Sequence, residues 1–177
     1  MKKFRSLREH YATIAFGTCI SPEENYSKHI QKYSQTKCTR RSSCEKDFLE
    51  TSKFYLAFES QTCTDYITEK FWRTLKLGAI PIVSGPNRED YQRVAPPHSF
   101  IHVDDFQTDE QLAQLLQSIG NNRNLFGKYH YWRRFYDVYF EAKNVEPFRF
   151  CELCYRLNTN KRRIWYERLN EWFLDQC

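Results

Sequence analysis

The chain has no long apolar run. No segment approaches the roughly 18 consecutive apolar residues that a membrane-spanning helix requires, and the N-terminal sequence MKKFRSLREHYATIAF lacks the apolar core of a secretory signal peptide. Hydrophobic residues still make up 41% of the 177 residues and aromatic residues 17%, which is enough apolar material for one sizeable core. The composition therefore predicts a globular chain rather than a disordered or membrane-spanning one.

Motifs of several common protein classes are also missing. Neither GxGxxG nor GxSxG occurs, so dinucleotide binding and esterase chemistry have no support. The net charge is +5, but basic residues alternate with acidic ones and form no long stripe, which argues against a nucleic-acid-binding surface. The modest positive charge instead favours an anionic ligand.

The cysteines, by contrast, are numerous. Seven cysteines are many for a cytosolic domain of this size, and an odd number leaves one outside any intramolecular pair. Cys38 and Cys44 are one candidate disulfide, and Cys151-x-x-Cys154 suits either a disulfide or half of a zinc site. Zinc needs a second ligand pair with suitable spacing, which Cys38 and Cys44 do not provide, so disulfides are favoured. Together with an N-glycosylation sequon at Asn25, they point to an oxidising, luminal compartment.

The most regular part of the sequence is the stretch 53–85. Residues 53–58 and 79–83 are apolar runs of strand length, and the segment between them has the period of an amphipathic helix. We expect Thr64 or Asp65 to cap this helix, Gly78 to end it, and Ile67, Phe71 and Leu75 to pack on the sheet. Strand, crossover helix and strand form one βαβ unit, whose two strands are parallel and buried.

This unit predicts where a ligand would bind. Ligands of open α/β sheets lie beyond the carboxyl ends of the strands, where helix N-termini present unpaired N–H groups. In a helix that starts near Asp65, the side chains of Tyr66, Glu69 and Lys70 share one face. An aromatic ring, a carboxylate and an ammonium suit a nucleotide diphosphate that carries a hydroxyl-rich group. The alternative is an ordinary amphipathic helix with solvated charges.

The remaining segments predict fewer features. Residues 1–52 are expected to be an irregular segment with some strand or helix, and 53–177 the α/β domain. A third strand is expected at 99–103, a capping box at Thr108 and Gln111 starts a helix that ends at Gly120, and 122–139, 149–157 and 162–173 are expected to be helical. The adjacent acids Asp104 and Asp105 cannot copy a D-x-D metal chelate, so a capping or loop role is expected.

The amino-acid sequence of the central stretch resembles that of one known family. The segments FYLAFES, DYITEKFWR, LGAIPIVSGP and PPHSFIHVDDF, with FCELCYRL at 150–157, follow in order the donor-binding half of the α-1,3-fucosyltransferases. The resemblance runs from about Cys19 to the end of the chain. It implies a Rossmann-like C-terminal half of a GT-B glycosyltransferase with a helical tail, and inverting transfer of L-fucose from GDP-fucose to N-acetylglucosamine of a glycan, with no obligatory metal.

The resemblance also assigns roles to residues. With the resemblance, we expect the donor-binding residues to be Glu59, Ser60, Tyr66, Glu69 and Lys70. At position 60 the family has an asparagine that contacts the donor, and Ser60 loses its amide. From its place at the end of the strand, Glu59 suits either ligand hydroxyls or the backbone N–H groups of the following loop.

For the rest of the reaction the resemblance points outside this chain. It implies that Cys151 and Cys154 are disulfide-bonded, in some members to partners in the N-terminal half of the protein. It also implies that the catalytic base belongs to an N-terminal acceptor-binding domain with no counterpart here. An upstream arginine that clamps the donor diphosphate in the family has no clear counterpart either. Members are tethered in the Golgi by an N-terminal membrane helix, so we expect a Golgi location and a chain that represents the donor half, with little or no activity alone.

Overall fold

A computed structural model describes residues 2–13, 43–139, 142–163 and 165–177. Its helices are α1 (Lys2–His10), α2 (Ser43–Thr51), α3 (Glu69–Leu77), α4 (Arg88–Val94), α5 (Asp109–Asn121), α6 (Arg123–Lys128), α7 (Ala142–Thr159) and α8 (Leu169–Asp175). Its strands are β1 (Phe54–Phe58), β2 (Ile80–Ser84) and β3 (Ile101–His102), and short 3-10 turns occupy Val103–Asp105 and Tyr131–Arg134.

The three strands form one parallel sheet in the order β1-β2-β3. Phe54 pairs with Ile80 and Phe58 with Ser84, so β1 and β2 are in register along their whole length. The predicted βαβ unit with parallel strands is confirmed, and with it the α/β, Rossmann-like class. The third strand is shorter than expected, because the chain turns into the 3-10 turn at Val103.

Side chains alternate between the two faces of the sheet and build two cores. On one face Ile80, Ile82 and Ile101 pack with Leu112 and Leu116 of α5. The opposite face of the sheet carries a second cluster in which the side chains come from β1, β2, α3, α4 and the 3-10 turn, namely Ala57, Val83, Phe71, Leu75, Tyr91 and Trp132. Helices therefore cover both faces, as parallel sheets require.

Helix α3 packs as its apolar spacing predicts. Phe71 and Leu75 are buried against the sheet, and Ile67 lies partly buried beside them. Gly78 ends the helix in the left-handed conformation, with φ +106°, and its N–H donates to the carbonyl of Thr74 at 3.1 Å. A side chain is disfavoured at that φ, which is why a glycine stands there.

The first residues differ from their sequence-based expectation. Lys2–His10 is a regular helix in which Phe4 and Leu7 are buried and Leu7 belongs to the core next to α5. The helix was not predicted because its apolar side consists of only one pair of positions at helical spacing, with charged residues around them.

The C-terminal part is helical, as expected, but its helices have other bounds. The single helix predicted for 122–139 is wrong: α6 ends at Lys128 and a 3-10 turn follows at Tyr131–Arg134. Helix α7 is longer than predicted and α8 shorter, and α8 buries none of its residues. None of the helices in the described ranges is long and apolar enough to cross a bilayer.

We expect Leu7→Ala to lower the free energy of unfolding by about 2–5 kcal/mol, because it removes a buried side chain and leaves a cavity between α1 and α5. Urea denaturation monitored by circular dichroism measures this loss. Glu9→Ala, on the exposed side of α1, is the matched control and should change stability by less than about 0.5 kcal/mol. Equal effects of the two variants would show that α1 does not contribute to the core.

His130 should make stability depend on pH. Burial, and then the charge of Arg133, lower the pKa of His130 below its ordinary value of 6.5. Below about pH 6.5 the unfolded chain therefore binds more protons than the folded one, so stability falls as the pH drops from that value toward the folded pKa. Denaturation midpoints measured between pH 7 and pH 5 should decline less in His130→Gln, whereas His98→Asn, at an exposed histidine, should leave the decline unchanged.

Candidate functional site

The candidate site lies at the carboxyl ends of β1 and β2, in the loop that joins β1 to α3. The loop begins at Glu59, whose N–H donates to the carbonyl of Ser84 at 2.8 Å and extends the pairing of the two strands by one residue. It ends at Thr68, the residue that caps α3. Three of the five candidate donor-binding residues, Glu59, Ser60 and Tyr66, belong to this loop, and Glu69 and Lys70 are the first two residues of the helix.

The start of α3 differs from the prediction. Neither Thr64 nor Asp65 caps the helix; Asp65 lies in a turn with φ +61°, and the helix begins four residues later at Glu69. The reason is visible at Thr68, whose N–H donates to the Glu59 carboxylate at 2.8 Å. The N–H groups at the start of a helix have no carbonyl acceptor within the helix. The Glu59 carboxylate accepts from the N–H of Thr68, and this bond fixes the start of α3.

This shift corrects the predicted arrangement of side chains. Tyr66 precedes α3, so it does not share a helical face with Glu69 and Lys70. Its hydroxyl instead lies 3.4 Å from the hydroxyl of Ser60, and its side chain is 37% exposed. The loop therefore presents a tyrosine and a serine side by side, while Glu69 is half-buried at the first position of the helix.

Glu59 and Lys70 form the central ion pair of the site. The Lys70 ammonium donates to the Glu59 carboxylate at 2.8 Å and lies 3.2 Å from the Thr68 hydroxyl, which also bonds Glu59. The Glu59 side chain is fully buried, whereas the side chain of Lys70 is 35% exposed. Of the two roles open to Glu59, the structure shows the structural one: it accepts from the loop backbone and holds Lys70 in place.

A glycine makes room for this carboxylate. Gly85 follows β2 with φ +146°, and a Cβ built on it would lie 2.7 Å from the Cβ of Glu59 and 3.1 Å from the carbonyl oxygen of Gln61. Real Cβ atoms essentially never lie as close to another atom as 2.7 Å. Any other residue at 85 would therefore displace the start of the loop, in addition to the strain of its positive φ.

Helix α4 contributes a second group of polar side chains, which contacts the loop at Asp65. Arg93 donates to Asp65 of the loop at 2.6 Å and also to Asp90, whose side chain is 3% exposed. Tyr91 is fully buried next to them, and burial, assisted by the charges of Glu59 and Asp90, raises its pKa. Its hydroxyl stays protonated at all physiological pH values.

Arg93, Thr68 and Gly85 were not identified from the sequence. A threonine that precedes a glutamate and an apolar periodic run is a normal N-cap signal, so Thr68 could have been predicted as the cap. The contact of Arg93 with Asp65 joins residues 28 positions apart and therefore leaves no local sequence signal.

The cysteines pair differently from the expectation. In the described part of the chain Cys63 and Cys177 form a disulfide, while Cys151 and Cys154 are free and exposed on α7. The predicted disulfide bonding of Cys151 and Cys154 is therefore not what the structure contains. The two lie on adjacent turns of one regular helix, where the backbone holds their Cβ atoms apart by about 5–6 Å, beyond the usual 3.5–4.5 Å of a disulfide. Cys38, the side chain of Cys44 and the sequon at Asn25 lie outside the described residues.

The adjacent acids Asp104 and Asp105 have loop roles, as expected. Asp105 pairs with Arg88, and the N–H of Asp104 donates to Nδ1 of His102 at 3.2 Å. Nε2 of His102 then donates to the carbonyl of Pro86 at 3.0 Å, so this buried histidine is satisfied on both sides. Among the residues that the structure describes, no three His, Cys, Asp or Glu side chains are grouped to hold a metal ion.

Comparisons with known proteins bear on this site. Residues 1–172 match the model of "Glycosyltransferase family 10 (fucosyltransferase) C-term". The bovine α-(1,3)-fucosyltransferase 7 is 43% identical over 122 residues, which are 68% of this chain and 34% of that protein. The human α-(1,3)-fucosyltransferase 4 is 42% identical over 123 residues, which are 66% of this chain and 23% of that protein. The chain thus spans between about a quarter and about a third of the length of these relatives.

A solved structure is also similar to this chain. A crystal structure of an α1,3-fucosyltransferase with GDP-fucose superimposes with a TM-score of 0.46 at 20% identity, covering 71% of this chain and 37% of that one. The likeness is weak at that score.

Breaking the central ion pair should destabilise the domain. We expect Glu59→Ala to lower the free energy of unfolding by about 2–3 kcal/mol, since it leaves the N–H of Thr68 and the ammonium of Lys70 without their acceptor. Urea denaturation of Glu59→Ala, Lys70→Ala and the double variant gives the coupling energy of the pair. Glu89→Ala, an exposed acid in the first turn of α4, is the control and should cost no more than about 1 kcal/mol. Additive effects of the Glu59 and Lys70 substitutions would contradict the pairing.

Proposed function

The chain belongs to glycosyltransferase family 10, the fucosyltransferases, and from that premise we propose that residues 59–70 form the edge that binds the GDP-fucose donor. The observation that carries the proposal is the position of Lys70. Its ammonium is held 2.8 Å from a fully buried carboxylate at the strand end, yet its side chain remains 35% exposed. A cation fixed in this way at the carboxyl edge of a parallel sheet is suited to bind a diphosphate.

Each of the other candidate residues has a role in this proposal. Tyr66 and Ser60 offer two neighbouring hydroxyls on the open side of the loop, which suit the phosphate oxygens or the sugar. Glu69 follows the cap of α3 and accepts from hydroxyls of ribose or fucose. Glu59 acts indirectly, since its contacts are to Thr68 and Lys70; it is a positioning residue.

The proposed reaction is transfer of L-fucose to N-acetylglucosamine of a glycan in α-1,3 linkage, with inversion at the anomeric carbon. The bond from fucose to the diphosphate breaks as the acceptor oxygen attacks, and GDP departs with the added negative charge. Lys70 stabilises that charge, a type of contact whose loss typically costs about 10²–10³ in rate. No obligatory metal is part of this proposal. The base that takes the acceptor proton is proposed to belong to the acceptor-binding domain, because Glu59, buried in its ion pair, is unsuited to the task.

We further propose that this chemistry occurs in the Golgi lumen. The disulfide between Cys63 and Cys177 supports an oxidising compartment.

Lys70→Met tests the donor site. We expect it to weaken GDP binding at least tenfold in isothermal titration calorimetry, because the diphosphate loses its fixed cation. Lys76→Met is the matched control, since it removes the same charge from the opposite end of α3, where Lys76 lies 3.6 Å from Asp137, and it should leave the affinity unchanged.

A second variant separates binding from folding. Lys70→Met leaves Glu59 buried without its counter-ion, so the double variant Glu59→Gln/Lys70→Met restores charge balance and should be stable but still bind GDP weakly. Equal affinity of wild type and the stable double variant would reject Lys70 as the diphosphate contact. A radiolabelled transfer assay with GDP-fucose then distinguishes an active transferase from the alternative, a GDP-sugar-binding chain without activity of its own.

A further inference from the structure

The loop that carries Ser60 and Tyr66 has little to hold it by packing. Residues 60–66 are exposed with one exception, Cys63, which is 5% exposed. An exposed polar loop cannot be ordered by hydrophobic burial and requires specific bonds instead. Arg93 of α4 supplies one such bond, to Asp65 at 2.6 Å, and Cys63 supplies the other.

The contacts of Cys63 come from the far end of the sequence. It is disulfide-bonded to Cys177 across 114 positions, and the N–H of its neighbour Thr64 donates to the carbonyl of Gln176 at 2.7 Å. On the loop side, the carbonyl of Cys63 accepts from the N–H of Tyr66 at 3.1 Å. The crosslink thus connects the C-terminal segment to the backbone of a candidate donor-binding residue.

The C-terminal segment itself adds almost no core. Helix α8 buries none of its residues, and both apolar clusters of the described structure are built without it. Opening the crosslink should therefore loosen the loop around Cys63 without removing apolar contacts from the sheet. A local effect on the site and a general effect on folding can then be told apart.

We propose that the Cys63–Cys177 disulfide is a positioning crosslink of the donor site, which holds the loop 60–66 in the conformation that binds a nucleoside diphosphate. This inference rests on the proposed function of that loop. A dithiol reverses the crosslink: its thiolate attacks one sulfur, the S–S bond breaks, and a second attack releases two cysteine thiols while the dithiol becomes a cyclic disulfide. Reduction therefore lowers affinity for the donor, and reoxidation restores it.

The test compares oxidised protein, protein reduced with dithiothreitol, and Cys177→Ser. Calorimetry with GDP should show an affinity about tenfold lower for the reduced protein and for Cys177→Ser, with recovery when the reduced protein is reoxidised. Hydrogen exchange at residues 60–66 should rise in the same samples, while β1 and β2 stay protected. Cys154→Ser, which removes a free and exposed thiol, is the matched control and should bind like wild type.

Thermodynamic linkage gives a readout that a merely structural crosslink would not change. If reduction lowers GDP affinity tenfold, saturating GDP must oppose reduction by the same factor. The reduction potential of the Cys63–Cys177 pair, followed by thiol alkylation and mass spectrometry, should then become more negative by about 30 mV in GDP.

Three outcomes contradict these ideas in different ways. Equal GDP affinity of oxidised and reduced protein, with no shift in potential, overturns the crosslink's role and leaves the proposed donor site intact. Loss of circular dichroism on reduction shows that the crosslink supports the whole domain, and overturns a local role. If no GDP binds in any state, the proposed function itself fails, and the positioning role with it.

Discussion

The rest of the site depends on one buried carboxylate. The side chain of Glu59 is fully buried at the point where β1 ends, and a buried charge is tolerated only when it is paired and hydrogen-bonded. Its partners are the N–H and hydroxyl of Thr68 and the ammonium of Lys70. One group therefore sets the strand end, the first residue of α3 and the position of the exposed cation. Gly85 is part of the same constraint, because only a residue without a Cβ leaves space for this side chain.

This arrangement changes how the edge can attract an anion. The charge of Lys70 is balanced by Glu59, and that of Arg93 by Asp65 and Asp90, so the edge has no strong positive field from these groups. The Lys70 side chain is instead already immobilised before a ligand binds. Immobilising a free lysine costs up to about 2 kcal/mol of side-chain entropy, and here that loss occurs during folding rather than during binding. A diphosphate gains from a cation whose geometry is fixed in advance, which is the condition for stabilising a leaving group.

The sequence predicted what local patterns encode. The two strands, their parallel pairing, the glycine that ends α3 and the inward face of Phe71 and Leu75 all follow from period and composition within a few residues. The start of α3 could not be predicted in this way, since the Glu59 carboxylate bonds Thr68, nine positions later, and overrides the local capping signals at Thr64 and Asp65. The Cys63–Cys177 pair had no local signal either, because several cysteines could be partners and chain entropy distinguishes them only weakly. Helix α1 was missed because so few apolar positions mark its buried side.

The loop illustrates why such distant contacts arise. Ser60 and Tyr66, which are proposed to contact the donor, are exposed, so apolar packing does not order this part of the loop. In the described structure, specific bonds replace packing. The Glu59 carboxylate bonds Thr68 at the end of the loop, Arg93 of α4 bonds Asp65, and the C-terminal segment holds Cys63 through the disulfide and Thr64 through a hydrogen bond. Two of these come from elements that follow the loop in sequence by 28 and 114 positions. The geometry of the candidate site therefore depends on residues far from the loop in sequence as well as on the residues of the loop itself.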